Sequence, residues 1–166
     1  DAETGKNAWS TPRPVPNSWA SPALIINAGR AEVVTCANPF VISYDPATGK
    51  ELWRVECLSG DVAPSPAYAN GIVYVCQDGA GVFAIKPPAP GTNDKPTRVW
   101  KSDVGATDTT SPACNGEIVI LAASYGTVTC LDAKTGKLLW EEDLKVSFTA
   151  SPIIAGNKVY LTDTDG

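Results

Sequence analysis

The sequence repeats itself at intervals of about 40 residues, and this periodicity limits the chain to a small set of folds. One marker is tryptophan, which recurs at intervals of 44, 47 and 40 residues, at Trp9, Trp53, Trp100 and Trp140. A second marker is the dipeptide Ser-Pro, which recurs at intervals of 44, 46 and 40 residues and begins at Ser21, Ser65, Ser111 and Ser151. Because two independent markers keep step, the chain is a series of similar units that bury their apolar faces against one another.

Each unit predicts four short β-strands. The segment Ser111–Trp140 contains the strand-like stretches "TSPAC", "EIVILAA", "TVTCL" and "KLLW", separated by turn signals. The Asn-Gly pairs at Asn70-Gly71 and Asn115-Gly116 predict two-residue hairpin turns with positive φ at both central positions. Helical stretches between the strands are missing, which disfavours parallel βαβ units. Four antiparallel strands in about 40 residues form one propeller blade, so the predicted fold is all-β, a partial β-propeller of about four repeats.

The predicted propeller is a single domain that occupies residues 1–166. Its expected parts are an outer strand of a preceding blade, three full blades and an incomplete blade, at 1–10, 18–55, 62–103, 108–144 and 148–166. The first full repeat has three extra residues, which we place in "NAGRAE". The second has six, in "KPPAPGTNDKPTR", which predicts an enlarged surface loop. We expect a fragment of a larger propeller. Its open blade faces would be covered by a homodimer, by strand swapping or by the Asp1–Trp9 strand, which would patch the broken blade.

The string D-x-x-T-G-K-x-x-W recurs near the end of the repeats and is complete at Asp45–Trp53 and Asp132–Trp140. We expect the carboxylates of Asp45 and Asp132 to accept hydrogen bonds from backbone N–H groups two or more residues on, which closes a turn. Glycine supplies the positive φ of that turn, at Gly49 and Gly136. The tryptophan that follows is predicted to pack against the neighbouring blade. The alternative is that these tryptophans stack on a base or a sugar.

Composition removes several classes of function. The chain has no histidine, which excludes His-activated nucleophiles and His-ligated zinc or copper. It has neither of the common Gly-rich phosphate-binding motifs. The net charge is −5 without any cluster of Lys or Arg, so nucleic acid is not a predicted partner. The longest apolar runs fall short of the ~18 residues that would span a bilayer, so no transmembrane segment is predicted.

The five cysteines are predicted to be buried free thiols. None is adjacent to another or in CxxC spacing, and an odd number argues against a full disulfide framework. Cys36 and Cys76 both end a second strand. Equivalent positions in adjacent blades are expected to lie farther apart than the ~7 Å Cα separation that a disulfide tolerates, so both are predicted to be free.

The turns along one rim of the propeller contain the candidate binding residues. In a propeller, the loops that enter the inner strands share a rim with the turns between second and third strands. These segments carry an aromatic residue outside the repeat register and several carboxylates, namely Trp19, Asp61, Asp78, Asp108, Tyr125, Asp163 and Asp165. Such a rim suits a sugar, a peptide or a Ca²⁺ ion. The alternative is that these are ordinary turn residues.

With Ser-Pro opening each unit, the D-x-x-T-G-K-x-x-W string resembles the PQQ-like (quinoprotein-type) β-propeller repeat. The resemblance covers essentially the whole chain, with a further copy of the string at Asp1–Trp9 and a degenerate one at Lys86–Trp100. That family includes quinoprotein alcohol dehydrogenases that use pyrroloquinoline quinone (PQQ). It also includes non-enzymatic members such as the outer-membrane assembly lipoprotein of the BamB type. The resemblance therefore implies a propeller and leaves its activity open.

The resemblance implies three alternative functions. The first is a non-catalytic binding or scaffolding module of a bacterial protein, periplasmic or extracellular, that holds a protein partner or small ligand at its rim. The second is part of a PQQ- and Ca²⁺-dependent dehydrogenase, for which the family implies an adjacent Cys-Cys pair, a Ca²⁺ site and an Asp base. No Cys-Cys pair occurs here, so no catalytic residue can be carried over. The third is a sensor domain attached to a kinase or membrane protein.

Overall fold

The computed structural model describes residues 1–166, and all its regular secondary structure is β-strand, which confirms the all-β prediction. The strands are β1 Ala23–Asn27, β2 Arg30–Ala37, β3 Phe40–Tyr44, β4 Glu51–Glu56, β5 Ala67–Ala69, β6 Ile72–Gln77, β7 Gly81–Lys86, β8 Thr97–Ser102, β9 Ala113–Cys114, β10 Ile118–Ala122, β11 Thr127–Asp132, β12 Leu138–Asp143, β13 Ile153–Ala155 and β14 Lys158–Tyr160.

The strands form four separate antiparallel sheets, each made of strands that follow one another along the chain. Three sheets have four strands, in the orders β1-β2-β3-β4, β5-β6-β7-β8 and β9-β10-β11-β12, and the fourth pairs β13 with β14. We call them blades 1 to 4. All the sheets are open, as the propeller prediction requires.

The hydrophobic core lies between the blades. One cluster joins Val34 and Trp53 of blade 1 to Val73 and Ile85 of blade 2. A second joins blade 2 to blade 3, and a third joins blade 3 to blade 4 around Phe148. Since each blade covers the next, burial of apolar area at these contacts supplies the main stabilising free energy of the arc.

The N-terminal segment differs from its predicted structure. We expected an outer strand at 1–10, but the structure contains no strand before Ala23. Residues 1–10 form a turn followed by a stretch without regular secondary structure. The indole of Trp9 nevertheless reaches blade 1, where its Nε1 donates to the carbonyl of Pro46 at 2.8 Å.

One of the two predicted Asn-Gly hairpins has a different geometry. Asn70 and Gly71 both have positive φ, 49° and 80°, as predicted. In the second pair only Gly116 does, at 91°. The Asn115 side chain instead accepts hydrogen bonds from the backbone N–H groups of Glu117 and Ile118, so it closes a longer loop before β10.

The two insertions contact each other. In blade 1, Ala28 and Gly29 form the hairpin turn, and "NAGRAE" is the tip of an elongated β1–β2 hairpin. In blade 2, the inserted segment is the loop between β7 and β8, where Pro87 and Pro88 are buried. The Nδ2 group of Asn27 donates to the carbonyl of Pro88 at 2.8 Å. The inserted loop is therefore partly an inter-blade contact.

Candidate functional site

The recurring Asp turn has the same geometry in all three copies. The Oδ1 atom of Asp132 accepts from the backbone N–H groups of Lys134 and Thr135 and from the Thr135 hydroxyl, at 3.1, 2.8 and 2.7 Å. Asp45 and Asp1 accept the equivalent three hydrogen bonds. The Thr135 hydrogen bonds hold the pKa of Asp132 below its ordinary value. One oxygen of the carboxylate, Oδ1, thus closes the turn.

In two of these turns, those of Gly49 and Gly136, the glycine receives the tryptophan of the preceding unit. A Cβ added at Gly49 would lie 2.4 Å from Cε3 of Trp9, and one added at Gly136 would lie 2.6 Å from Cε3 of Trp100. The ring of Trp100 lies on the turn, and its Nε1 donates to the carbonyl of Ala133 at 2.9 Å. The glycine is therefore required for close approach as well as for its positive φ. Trp140 is the exception, with 45% of its surface exposed.

Trp53 has a different partner because blade 2 carries the inserted loop in place of the Asp turn. Its Nε1 donates to Oε2 of Glu32 at 2.7 Å, and the hydroxyl of Ser43 donates to the same oxygen at 2.7 Å. The other oxygen, Oε1, accepts from Asn27 and Arg30. Burial alone would raise the pKa of Glu32, but these hydrogen bonds outweigh it and hold the pKa below its ordinary value.

The Ser-Pro dipeptides form a hydrogen-bonded ladder across the blades. The backbone N–H of each serine donates to the hydroxyl of the next: Ser21 to Ser65 at 2.8 Å, Ser65 to Ser111 at 2.9 Å and Ser111 to Ser151 at 2.9 Å. This second marker of the repeat is therefore also architectural.

The turns and loops of one rim are tied together by hydrogen bonds. The hydroxyl of Ser124, in the turn between β10 and β11, donates to Oδ2 of Asp108 at 2.7 Å. The backbone N–H of Phe148 donates to the carbonyl of Ser124, and that of Thr164 donates to the carbonyl of Ser147. This network holds the next residue, Tyr125, on a rigid turn although its side chain is 70% exposed.

Tyr125 separates two shallow polar depressions, which together we call the rim site. The larger, of about 480 Å³, is lined by Tyr125, Asp143, Lys145, Val146, Ser147, Asp163, Thr164 and Asp165. The smaller, of about 300 Å³, is lined by Asp78, Gly79, Ala80, Gly81, Asp103, Gly105, Ala106 and Tyr125. The structure therefore brings together four of the sequence-derived candidates, Asp78, Tyr125, Asp163 and Asp165.

The rim site carries an excess of negative charge. Five carboxylates line it, and two of them have lysine partners: Asp103 pairs with Lys101 at 2.7 Å, and Asp143 pairs with Lys145. These pairs are exposed and contribute little to stability. The remaining carboxylates favour a ligand that presents positive or hydrogen-bond-donating groups.

Asp108 is hydrogen-bonded to the turn that carries Tyr125 and lines neither depression. Partial burial would raise its pKa, but hydrogen bonds from Ser124 and from the backbone hold that pKa below its ordinary value. A general base working near neutral pH would need the opposite shift. Asp108 is therefore a positioning residue for the turn that carries Tyr125.

Trp19 and Asp61, the two remaining sequence-derived candidates, lie outside the rim site. Trp19 is 62% exposed, and its backbone N–H donates to the carbonyl of Val62 at 2.9 Å, which brings the two loops together. Neither residue lines the rim site. Both residues are exposed.

The residues present do not fit PQQ with Ca²⁺. No group of three or more Asp, Glu or Cys side chains is close enough to hold a metal ion. The five cysteines are separate free thiols. The rim site is shallow and polar, whereas a flat quinone needs enclosing walls. No catalytic step through that cofactor can be assigned to these residues.

Several residues that shape these sites had no signal in the repeat. Asp143 and Lys145 flank the larger depression but belong to an outer strand and its exit loop, which were not expected on the rim. The sequence did not identify Glu32 as a buried residue, because an alternating strand pattern does not show which polar residue is buried. The one available clue was that "NAGRAE" breaks the repeat length, since an insertion often carries a specific contact.

Comparison with protein families gives a match over nearly the whole chain. The matching family model is described as "Outer membrane protein assembly factor BamB" and covers residues 1–88 and 92–166. The three unmatched residues lie in the inserted loop between β7 and β8. None of the curated proteins compared matches the chain significantly.

Solved structures share the fold at low identity. BamB from Moraxella catarrhalis is 18% identical with a TM-score of 0.62, over 87% of this chain and 47% of that chain. The computationally designed Ika4 protein is 21% identical with a TM-score of 0.68, over 98% and 95%. Quinohemoprotein alcohol dehydrogenase from Comamonas testosteroni is 14% identical with a TM-score of 0.53, over 80% and 31%. The chain thus spans about half the length of that BamB.

Proposed function

Because this chain belongs to the family of the outer-membrane protein assembly factor BamB, we propose that it is a non-catalytic module that binds a protein partner at the rim site. The family is described by a factor that assembles outer-membrane proteins, which supports a protein partner over a small substrate. It also supports a periplasmic or extracellular location. The chain forms no helix long and apolar enough to cross a membrane.

The observation that carries this proposal is the placement of Tyr125. An exposed aromatic ring held on a rigid turn costs little conformational entropy on binding, which is why tyrosine is frequent at binding hot spots. The hydrogen bonds from Ser124 to Asp108 and from Phe148 to Ser124 fix that turn before any partner arrives. Tyr125 is thus a preorganised anchor.

The depressions on either side of Tyr125 indicate the chemistry of the partner. Both are open and polar, so they suit side chains or backbone of a protein segment lying across the rim. The carboxylates of Asp78, Asp163 and Asp165 favour a segment with Lys, Arg or free N–H donors. Binding should therefore weaken as salt is added, because exposed charges are screened.

Site-specific photo-cross-linking tests the proposal. A photoreactive phenylalanine analogue at position 125 should trap one discrete protein in the source cells. A matched control is the same analogue at position 99, because Val99 is exposed on β8 and lines neither depression. A specific product at 125 and none at 99 supports a rim partner. No product at 125 in cells that contain the folded protein would contradict it.

A further inference from the structure

A small apolar pocket lies in the joint between blades 2 and 3. It has a volume of about 270 Å³, and its walls are Ile72, Tyr74 and Val99 of blade 2 together with Gly116 and Ala133 of blade 3. Both blades are complete four-stranded sheets, so the pocket belongs to an interior joint of the arc. It shares no residue with the rim site and is therefore a separate candidate binding site.

Two polar groups at this pocket can donate hydrogen bonds but have no acceptor in the protein. The Lys134 ammonium forms no ion pair, and the Asn70 amide lies against Gly116 without a hydrogen-bond partner. The Asp132 carboxylate, in the same turn as Lys134, accepts from backbone N–H groups and not from the ammonium. Apolar walls with two free donors match an apolar ligand that carries a negative charge.

The preceding joint, between blades 1 and 2, contains a carboxylate of the chain itself at the equivalent place. Strand register sets Glu32 opposite Ile25 in blade 1 and Ile72 opposite Ala69 in blade 2. Ile25 and Ala69 each lie four residues after the serine of their Ser-Pro dipeptide. Glu32 and Ile72 are therefore equivalent residues of the two blades.

The carboxylate of the preceding joint is held by the same two kinds of donor. Oε1 of Glu32 accepts from the Asn27 amide at 2.8 Å and from the Arg30 guanidinium at 2.7 Å. In the next joint Ile72 supplies no carboxylate, while the amide of Asn70 and the ammonium of Lys134 remain at the pocket. The joint between blades 2 and 3 thus has the donors of the first joint without its anion.

We propose that this pocket binds a small free carboxylate with an apolar body, such as an arylalkanoate. The carboxylate of the ligand accepts from Lys134 and Asn70. Its apolar part packs against Ile72, Tyr74 and Val99. The volume lies just below the ~300–1,000 Å³ of drug-sized sites, so the ligand is a small molecule rather than a protein segment. The proposal is independent of the rim function.

Titration of the whole chain with hydrocinnamate, followed by heteronuclear NMR, tests the proposal. We expect saturable shifts at roughly millimolar concentration, centred on the backbone amides of Ile72, Gly116 and Lys134. Hydrocinnamamide has the same apolar body and a neutral head. It should bind about tenfold more weakly, because it loses the charge-assisted hydrogen bond to the ammonium.

Two variants with matched controls assign the binding to the pocket. Lys134→Gln should weaken hydrocinnamate binding about tenfold and remove its advantage over the amide. Lys95→Gln, at an exposed lysine outside the pocket, should change neither. Val99→Trp should fill the pocket and abolish binding, whereas Val104→Trp, at another exposed valine, should not. Circular dichroism should show all four variants folded.

Three results would overturn the carboxylate site. They are the absence of saturable shifts at the pocket, equal binding of the acid and the amide, and undiminished binding of the acid by Lys134→Gln or Val99→Trp. None of these results would alter the cross-link expected at position 125, because the two sites share no residue.

Discussion

The indole Nε1 of Trp53 donates to the buried carboxylate of Glu32 at 2.7 Å, whereas the equivalent atoms of Trp9 and Trp100 donate to backbone carbonyls. The difference arises where the second repeat replaces its Asp turn with a longer loop. Glu32 fills the place of the missing acceptor, and Asn27 links it to that loop at Pro88. The two insertions that break the repeat length thus contact each other and form part of the interface between blades 1 and 2.

Glu32→Gln should destabilise the protein by about 3 kcal/mol, the cost of breaking a buried charged network. Both carboxylate oxygens of Glu32 only accept hydrogen bonds from neighbouring donors. In the variant, the amide N–H₂ group would replace one of these acceptors and would face donors. Urea unfolding followed by tryptophan fluorescence measures the change. Glu56→Gln, at an exposed position of β4, is the matched control and should change stability by less than about 0.5 kcal/mol. Equal effects would show that the network is not stabilising.

The same carboxylate should contribute to acid sensitivity. The pKa of Glu32 is lowered on folding from its ordinary value of 4.5, so its stabilising contribution is present above that value. It is lost as pH falls through the lower folded pKa. The difference in unfolding free energy between wild type and Glu32→Gln should therefore be constant near neutral pH and shrink below about pH 4.5. A difference that grows on acidification would contradict the direction of the shift.

Gly136→Ala should be more destabilising than Gly71→Ala, although both glycines have positive φ. Both variants carry roughly 1 kcal/mol of backbone strain. Gly136→Ala adds a clash with the Trp100 ring, which should cost a further ~2 kcal/mol, whereas Gly71 has open space. Thermal unfolding of the two purified variants measures the gap. Equal melting temperatures would mean that the Trp100 ring moves aside without loss of stability.

The repeat predicted the architecture because backbone geometry recurs whenever the same residues recur. Asp132, Gly136 and Ser111 have local or neighbouring-blade partners, and the same kinds of partner recur at Asp45, Gly49 and Ser65. The exceptions depend on contacts between units that differ. The backbone of Asn115 differs from that of Asn70 because the two hairpins have different neighbours. The Asn70 side chain lies against Gly116 of the second hairpin.

The rim site could be predicted only in part, for a related physical reason. The blade pattern placed Asp78, Tyr125 and Asp163 on one rim, because turns between second and third strands share an edge. It did not distinguish them from Trp19 and Asp61, which lie on the loops that enter inner strands and line neither depression. The repeat pattern contains no local signal for which of these segments share a depression.

Titration with PQQ and Ca²⁺ tests the alternative dehydrogenase function. No saturable, Ca²⁺-dependent binding is expected at micromolar concentrations, because no three carboxylate or thiolate side chains converge on a common point. Isothermal calorimetry and the quinone absorbance provide two readouts. Saturable binding that needs Ca²⁺ would support the dehydrogenase function and would place the functional site at the ligands of that ion rather than at the rim site.

The most direct test of the rim function is the affinity of the protein trapped at position 125. The purified partner should bind Tyr125→Ala at least about tenfold more weakly than wild type, as expected for an exposed aromatic anchor. It should bind Val99→Ala with unchanged affinity. If Tyr125→Ala and Val99→Ala bind the partner as tightly as wild type does, Tyr125 is an ordinary turn residue and the rim is not the binding surface.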